Sequence, residues 1–331
     1  MDVDAITALI QQGKAVRGLN CTGQDLSGAD FRRGDFHNCN FADAVLHGAD
    51  FRDAMLTRCD LSGADLTGAQ LGHAAFRECS MSKVRLTSVD AVLADFQISN
   101  LGMAVFRNAR LHRATFSKCL LEKADFSHAD LSRADLTHEN LTTAVFAATN
   151  LYQAMLRGAV LSGLAFPGCD LRLALLDGAN LSGADFSGMD LSQVILDGAM
   201  ARNASFRMAK AEYARFQKAD CGGADFSGAQ FSFCNFSGAT LNEAILRQAG
   251  LSMCLFKRAN CARADFSQAR LDYADFSHAL VPEANFSAAD LTMTNVHQVR
   301  LDQAVTRGVN LDNVRATDPL LAEAEAWTPG G

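Results

Sequence analysis

The sequence has few of the residues that interrupt regular structure, with four prolines and one tryptophan among 331 residues. It has no apolar run of about 18 residues, so no membrane-spanning helix is expected. Met1 is followed by no basic and apolar leader, so no signal peptide is expected and the predicted location is cytoplasmic. A strong excess of positive or negative charge is also absent. The 30 basic and 37 acidic residues give a formal charge of −7, so direct nucleic-acid binding is not expected.

What the sequence does contain is a five-residue period that continues from residue 26 to residue 311 without insertion or deletion. A large apolar residue, called the centre here, occupies every fifth position, and Leu or Phe fills 49 of these 58 positions. Of the 22 phenylalanines, 21 are centres and only Phe233 is not. The position two before the centre is Ala in 38 of the 58 repeats and Cys in seven. Each pentad therefore has two apolar positions, one filled mostly by a small residue and the other mostly by a large one.

A period of five fits neither an α-helix nor a simple strand, whose side-chain periods are 3.6 and 2. It fits a solenoid in which each pentad forms one short side and one corner, with both apolar positions pointing inward. Asp often precedes the centre, as Asp65 does, and its side chain can hydrogen-bond the backbone of a turn. Gly favours the position two after the centre, as Gly63 does, where a corner requires a positive φ.

The pattern A-(D/N)-(L/F)-X-X resembles the pentapeptide repeat family, and the resemblance covers about residues 19–315. It implies an all-β solenoid, a right-handed quadrilateral β-helix of about 15 coils, with four pentads in each coil. Because coils stack like neighbouring strands about 4.8 Å apart, the expected rod is roughly 70 Å long. Residues 20 apart then lie above one another, and the repeat region forms one domain in which each coil contacts its neighbours.

Both ends of the chain are predicted to form short helical caps that cover the open coils. Residues 1–18 form the N-terminal cap, with Ile6, Leu9 and Ile10 at helical spacing. Residues 316–331 form the C-terminal cap and tail, with Pro319 at the first helical position after an N-cap at Thr317 or Asp318. Trp327 is expected to help to cover the end of the solenoid rather than to bind a ligand.

The ten cysteines do not form a metal-binding pattern, because all of them lie at the two inward positions of the repeat. Cys39, Cys59 and Cys79 are 20 apart and are expected to stack in one column, close enough for an occasional disulfide. The simpler interpretation is that Cys replaces Ala as a small buried residue, with reduced thiols.

The remaining candidates for chemistry are weak, so no enzyme activity, cofactor or metal is expected. The eight histidines all lie at outward or corner positions and no two are 20 apart, which disfavours a histidine-built metal site or proton relay. Glu139 places a carboxylate at an inward position. It either marks a site or, as we rather expect, lies in a local outward turn or beside a trapped water, because a buried acid is costly unless it is paired.

One corner of the solenoid differs from the repeat, because its outward position two after the centre is apolar or aromatic in six of seven successive coils. Gln193 is the exception. The predicted stripe consists of Leu173, Tyr213, Phe233, Met253, Tyr273 and Met293, and its polar edge of Arg172, Glu212 and Asp272. Contiguous exposed apolar strips mark interaction surfaces. The alternative is that these side chains only stack on one another to stabilise the solenoid.

These features predict a non-catalytic protein-binding or scaffold rod in a bacterial cell, which uses the stripe to bind an unknown protein partner or a second copy of the chain. The family resemblance implies an alternative, because some members mimic duplex DNA and bind DNA gyrase or topoisomerase IV to protect against quinolones. A targeting module of a secretion system is a minor alternative. The interleaved basic residues, such as Arg32, Arg33 and Lys123, argue against a uniformly negative surface.

Overall fold

The computed structural model describes residues 3–327, which divide into two compact units at Leu175 and Leu176. Each unit is a parallel β-solenoid in which a residue pairs with the residue 20 positions further along, as Asp30 pairs with Asp50 and Lys210 with Gln230. Each coil therefore contains four pentads, and the predicted fold class, an all-β solenoid with a short helix at each end, is confirmed.

Helix α1 spans Val3–Gln11 and precedes a six-stranded parallel sheet in the order β1 to β6. A 3-10 helix spans Leu301–Gln303, and helix α2 spans Pro319–Ala326. The strands are β1 Val16–Arg17, β2 Asp35–His37, β3 Met55–Thr57, β4 Ala75–Arg77, β5 Asp95–Gln97 and β6 Thr115–Ser117. All six strands lie on the same side of successive coils. The other sides of the coils pair through single bridges rather than through strands.

The core of each unit consists of stacked columns of centres, nearly all of which are buried. Within a column the rings lie almost parallel, as for Phe76 and Phe96, whose centroids are 5.1 Å apart at 8°. Across one coil the rings meet edge to face, as for Phe206 and Phe216 at 5.7 Å and 81°. Burying each large apolar side chain stabilises the fold by roughly 1.5–3 kcal/mol. The repeated columns therefore supply the main stabilisation.

The corners are closed by the Asp and Asn side chains that precede the centres, as predicted. The Ser27 backbone N–H donates to Asp25 Oδ1 at 3.0 Å, and the Ser27 hydroxyl donates to the same oxygen at 2.6 Å. The hydrogen bond from the Ser27 side chain lowers the pKa of Asp25. Residues two after the centre have a positive φ, whether they are glycine, such as Gly63 at 69°, or not, such as Arg133 at 59°.

The two helices pack differently at the two ends of the repeat region. Ile6 of α1 is buried, as expected for a residue that covers the first coil. Asp318 is the N-cap of α2 and accepts hydrogen bonds from the backbone N–H groups of Leu320 at 2.9 Å and Leu321 at 3.2 Å. The expectation that Trp327 helps to cover the end was wrong, because this side chain is 71% exposed. Helix α2 has no buried residue, so its position depends on polar contacts.

None of the helices within residues 3–327 has the length and apolar character needed to cross a membrane.

Candidate protein-binding surface

Five stripe residues lie in the second unit, on five successive coils of one corner, and all five are exposed. Their exposed fractions are 55% for Tyr213, 44% for Phe233, 43% for Met253, 55% for Tyr273 and 40% for Met293. Leu173 belongs to the first unit and is half-buried, and the intervening column position holds the polar, exposed Gln193. The continuous apolar part of the stripe is therefore shorter than predicted, from Tyr213 to Met293.

The backbone holds the stripe residues at a fixed spacing, because each donates its N–H to the following coil. Tyr213 donates to the carbonyl of Ser232 at 3.2 Å, and Met253 donates to the carbonyl of Asp272 at 3.0 Å. The rings of Tyr213 and Phe233 stack with their centroids 5.0 Å apart at 14°. Tyr213 and Phe233 thus stack, as the alternative interpretation requires, and yet all five side chains leave about half of their surface in water.

The stripe residues occupy a backbone conformation that bulky L-residues disfavour. Their φ angles lie between 57° and 60°, in the left-handed region, where glycine has no steric cost. A bulky side chain there costs roughly 1–2 kcal/mol, and an aromatic stacking pair returns about 0.5–1.5 kcal/mol. Stacking alone therefore offers little net stabilisation over glycine at these corners.

The three predicted edge residues do not form one group around the stripe. Arg172 lies in the first unit, forms an ion pair with Asp170 at 2.6 Å and sits 5.9 Å from the centre of the Tyr152 ring. Glu212 is exposed beside Tyr213 in the chain. Asp272 accepts a hydrogen bond from the Ser252 hydroxyl at 2.5 Å. Only Glu212 and Asp272 accompany the five-residue part of the stripe.

The expectation that Glu139 lies in an outward turn was wrong, because its side chain points inward and is only 4% exposed. Its carboxylate accepts hydrogen bonds from the backbone N–H groups of Lys118 at 2.7 Å and Cys119 at 3.0 Å. Burial raises the pKa of Glu139, and the two N–H groups oppose this shift. The carboxylate thus pairs with backbone groups of the preceding coil and has a structural role.

The cysteines are inward and free, as predicted, and nine of the ten are buried while Cys169 is half-buried. Several thiols donate to backbone carbonyls of the preceding coil, as Cys39 Sγ does to Val16 at 3.4 Å. Burial raises the pKa of Cys119 to about 12 and raises the pKa of Cys221 and Cys261 as well. Burial thus favours the protonated form of these three thiols.

Sequence reasoning missed a histidine pair, His278 and His297, which contact each other with their ring centroids 5.4 Å apart. His278 Nε2 lies 3.2 Å from one carboxylate oxygen of Glu325 in α2, and His297 Nε2 lies 3.1 Å from the other. This pair was missed because only histidines 20 apart were compared in the sequence. These two are 19 apart, on neighbouring corner positions of successive coils. The expectation that every histidine lies outward was wrong for His297, which is only 3% exposed.

The three side chains of His278, His297 and Glu325 have their ligand atoms within 4.8 Å of one another, the spacing of a small metal site. The Asp318 backbone N–H, however, donates to His297 Nδ1 at 3.2 Å, so Nδ1 is the acceptor and the proton lies on Nε2. A metal-bound histidine normally donates from its second nitrogen. The geometry therefore fits a hydrogen-bonded clasp that holds α2, and does not fit a metal site.

The coil of four pentads, the turn-closing Asp and Asn side chains and the positive-φ corners define a quadrilateral β-solenoid built from five-residue repeats. The family model described as a pentapeptide repeat region matches residues 29–106 and 109–186, and the one described as pentapeptide repeats (8 copies) matches residues 166–210, 212–248, 249–280 and 269–308. The chain belongs to the pentapeptide repeat family.

Two solved structures are similar to the chain at low sequence identity. HetL from Nostoc sp. strain PCC 7120, a pentapeptide repeat protein involved in the regulation of heterocyst differentiation, is 21% identical over 96% of this chain and 98% of its own, with a TM-score of 0.22. QnrB1, a plasmid-mediated fluoroquinolone resistance protein, is 19% identical over 78% of this chain and 97% of its own, with a TM-score of 0.28. Comparison with curated proteins gives no match.

Proposed function

We propose that the protein is a non-catalytic binding module that recognises a protein partner through the stripe residues Tyr213, Phe233, Met253, Tyr273 and Met293. The observation that carries this proposal is the presence of five large, half-exposed apolar side chains at successive corners with positive φ. Glycine would be free of strain there, and a stacking pair returns no more than the strain costs. Contacts with a partner would account for the apolar side chains at these corners, since aromatic residues and Met are enriched at interfaces.

The test replaces Tyr213, Phe233, Met253 and Tyr273 together by Ser and measures which proteins the variant retains from an extract of the native cell. A matched control replaces Glu243, Gln248, Arg263 and Gln268 by Ser, which are also exposed corner residues with φ between 55° and 60°. We expect both variants to keep the circular dichroism of the wild type, and only the stripe variant to lose a partner that the wild type and the control retain. Equal retention by all three proteins would refute the proposal.

The gyrase alternative requires a continuous negative surface that resembles duplex DNA, and the ion pairs weigh against it. Several of the carboxylates that precede the centres are paired with arginines of the same or neighbouring coils, as in Asp125 with Arg107 at 2.5 Å and Asp90 with Arg110 at 2.6 Å. This pairing alternates the charge along the corners and reduces the negative field. A supercoiling assay with purified gyrase, with and without a quinolone, tests this alternative directly.

A further inference from the structure

We infer that the partner of the stripe is a second copy of this chain, bound antiparallel with the two-fold axis passing beside Met253. This inference rests on the proposed function and names the occupant of the same surface. It follows from the symmetry of the stripe and from the charges on its two flanks, all within the second unit.

The stripe is close to symmetric about its middle residue when it is reversed. Under an antiparallel two-fold axis at Met253, Tyr213 of one copy meets Met293 of the other, Phe233 meets Tyr273, and Met253 meets itself. Every ring then packs against a ring or against a thioether, and sulfur–aromatic contacts are favourable. Half-exposed side chains of this size present on the order of 500 Å² of surface per copy. Two copies thus reach the lower limit of a specific interface, about 1,000 Å².

The flanks of the stripe consist of the residues that precede the centres on either side of the corner, and each flank is a column of paired residues. One flank is Lys210, Gln230, Gly250, Arg270 and Asp290. The other flank is Arg215, Asn235, Leu255, Asp275 and Asn295. In the antiparallel arrangement each flank meets itself in reverse order, because the two-fold axis lies across the solenoid direction.

The reversed pairing brings together complementary groups and no like charges. Lys210 meets Asp290 of the other copy, and Arg270 meets the amide of Gln230. At the axis of the second flank, the exposed Leu255 meets its own counterpart, which extends the apolar contact beyond the stripe. Gly250 lies at the axis of the first flank and presents no side chain there.

A parallel two-fold arrangement is disfavoured by the same columns. With the axis along the solenoid, each residue of one flank meets the residue of the other flank on the same coil. Lys210 then faces Arg215 of the other copy, and this like-charge contact occurs twice. Arg270 faces Asp275, so the parallel arrangement combines one favourable and one repulsive pair, whereas the antiparallel flanks contain no repulsive pair. Opposite charges across an interface select the register and like charges exclude wrong ones. The charge pattern therefore selects the antiparallel pairing.

The main test is cysteine cross-linking in the full-length chain with a short bismaleimide. Tyr213→Cys and Met293→Cys are made separately in a Cys169→Ala background, since the other nine native thiols are buried. We expect a covalent dimer when the two variants are mixed and none from either variant alone. Self-cross-linking of Tyr213→Cys alone would indicate parallel pairing and overturn the inference. The inference would also be overturned if the mixture gave no more covalent dimer than the control Gln248→Cys, which replaces a corner residue on another face.

A charge exchange supplies the second measurement, with the dimer dissociation constant read by analytical ultracentrifugation at low salt. We expect Lys210→Asp to weaken the dimer about tenfold, as does Asp290→Lys, and the double exchange to restore it. In a parallel dimer Lys210→Asp would instead strengthen association, because Asp would face Arg215.

The two proposals fail in different ways. If the wild type stays monomeric at all micromolar concentrations while the Ser stripe variant still loses a captured cellular protein, self-association is wrong and the proposed binding function stands.

Discussion

Glu139 departs from the repeat, and it lies where the hydrogen bonding between successive coils changes. On the strand side, Ile98 donates its N–H to the carbonyl of Ser117 in the following coil at 2.8 Å. One coil later Lys118 donates to the Glu139 carboxylate instead, and β6 is the last strand of the sheet. The carboxylate thus replaces the backbone acceptor at the point where the strand side gives way to ordinary corners.

Replacing Glu139 by Ala is expected to lower the free energy of unfolding by about 2–4 kcal/mol, because one buried and one part-buried N–H group lose their acceptor. Glu139→Gln keeps one acceptor oxygen and should cost about half as much. Denaturant unfolding measures both values. Hydrogen exchange should show faster exchange at the Lys118 and Cys119 amides, whereas unchanged exchange there would contradict the capping role.

The same residue gives a pH dependence with a defined sign. Folding raises the pKa of Glu139 above its ordinary value of 4.5, so the folded state holds this proton more tightly than the unfolded state. The stabilisation that comes from protonating Glu139 in the folded state is fully present below pH 4.5. It is lost as the pH rises through the raised pKa of Glu139 in the folded protein. The difference in unfolding free energy between the wild type and Glu139→Gln should therefore decrease as the pH rises from 4.5.

Among the elements, α2 is unusual because polar contacts rather than an apolar face attach it to the solenoid. None of its residues is buried, and Glu325 reaches His278 and His297 beside an open cavity of about 560 Å³ that Lys218 and Arg258 also line. The hydrogen bond from the His297 side chain is the main cause that lowers the pKa of Glu325. Glu325 is therefore the ionised group of the clasp, beside the backbone hydrogen bond from Asp318 to His297.

Glu325→Ala is expected to release α2 from the solenoid, and Trp327 provides the probe because it is the only tryptophan. The fluorescence anisotropy of Trp327 should fall in this variant and stay unchanged in the control Glu323→Ala, which replaces an exposed acid of the same helix. In the wild type the clasp is complete above pH 4.5, and it should be lost as the pH falls through the lowered pKa of Glu325. If the anisotropy stayed the same both in Glu325→Ala and at low pH, other contacts would hold α2.

The sequence was sufficient for the coils and for the positions of the two terminal helices, because each follows from local chemistry. The period of five placed the centres inside, and the order Asp318-Pro319 located the start of α2. The clasp could not be predicted, because contacts between neighbouring corner columns depend on side-chain direction, which the period does not encode. The exposure of Trp327 was missed for a related reason: the sequence shows that a residue is apolar but does not show whether its helix turns that residue toward the last coil.

In the whole molecule, the 20-residue register rather than the five-residue repeat decides which residues meet. The pairing of Leu56 with Phe76 and of Phe76 with Phe96 keeps the six strands on one side of the coil. All pentads are similar in sequence, so a chain that slips by one pentad keeps its pattern but moves every later column to the next side. The strands of the sheet, and likewise the residues of the stripe, therefore align only if every coil contains 20 residues.

Deleting residues 61–80 removes one complete coil, and we expect the variant to fold with a melting temperature close to that of the wild type, with β3 pairing directly with β5. Deleting only residues 61–65 should lower the melting temperature much more, because β4 to β6 then lie over a different side of the coil from β1 to β3. Circular dichroism during heating compares the two. A smaller effect of the five-residue deletion would show that all four sides are interchangeable.

The pairing of each coil with the next also has a consequence for how the chain folds. Ladder contacts join residues about 20 apart in a chain of 331, so their separation relative to chain length is about 0.06, as local as in helical bundles. An all-β protein with this topology avoids the slow closure of long loops. Folding can begin at any pair of coils and spread to the neighbours, so a nascent chain can start once roughly 40 residues have left the ribosome.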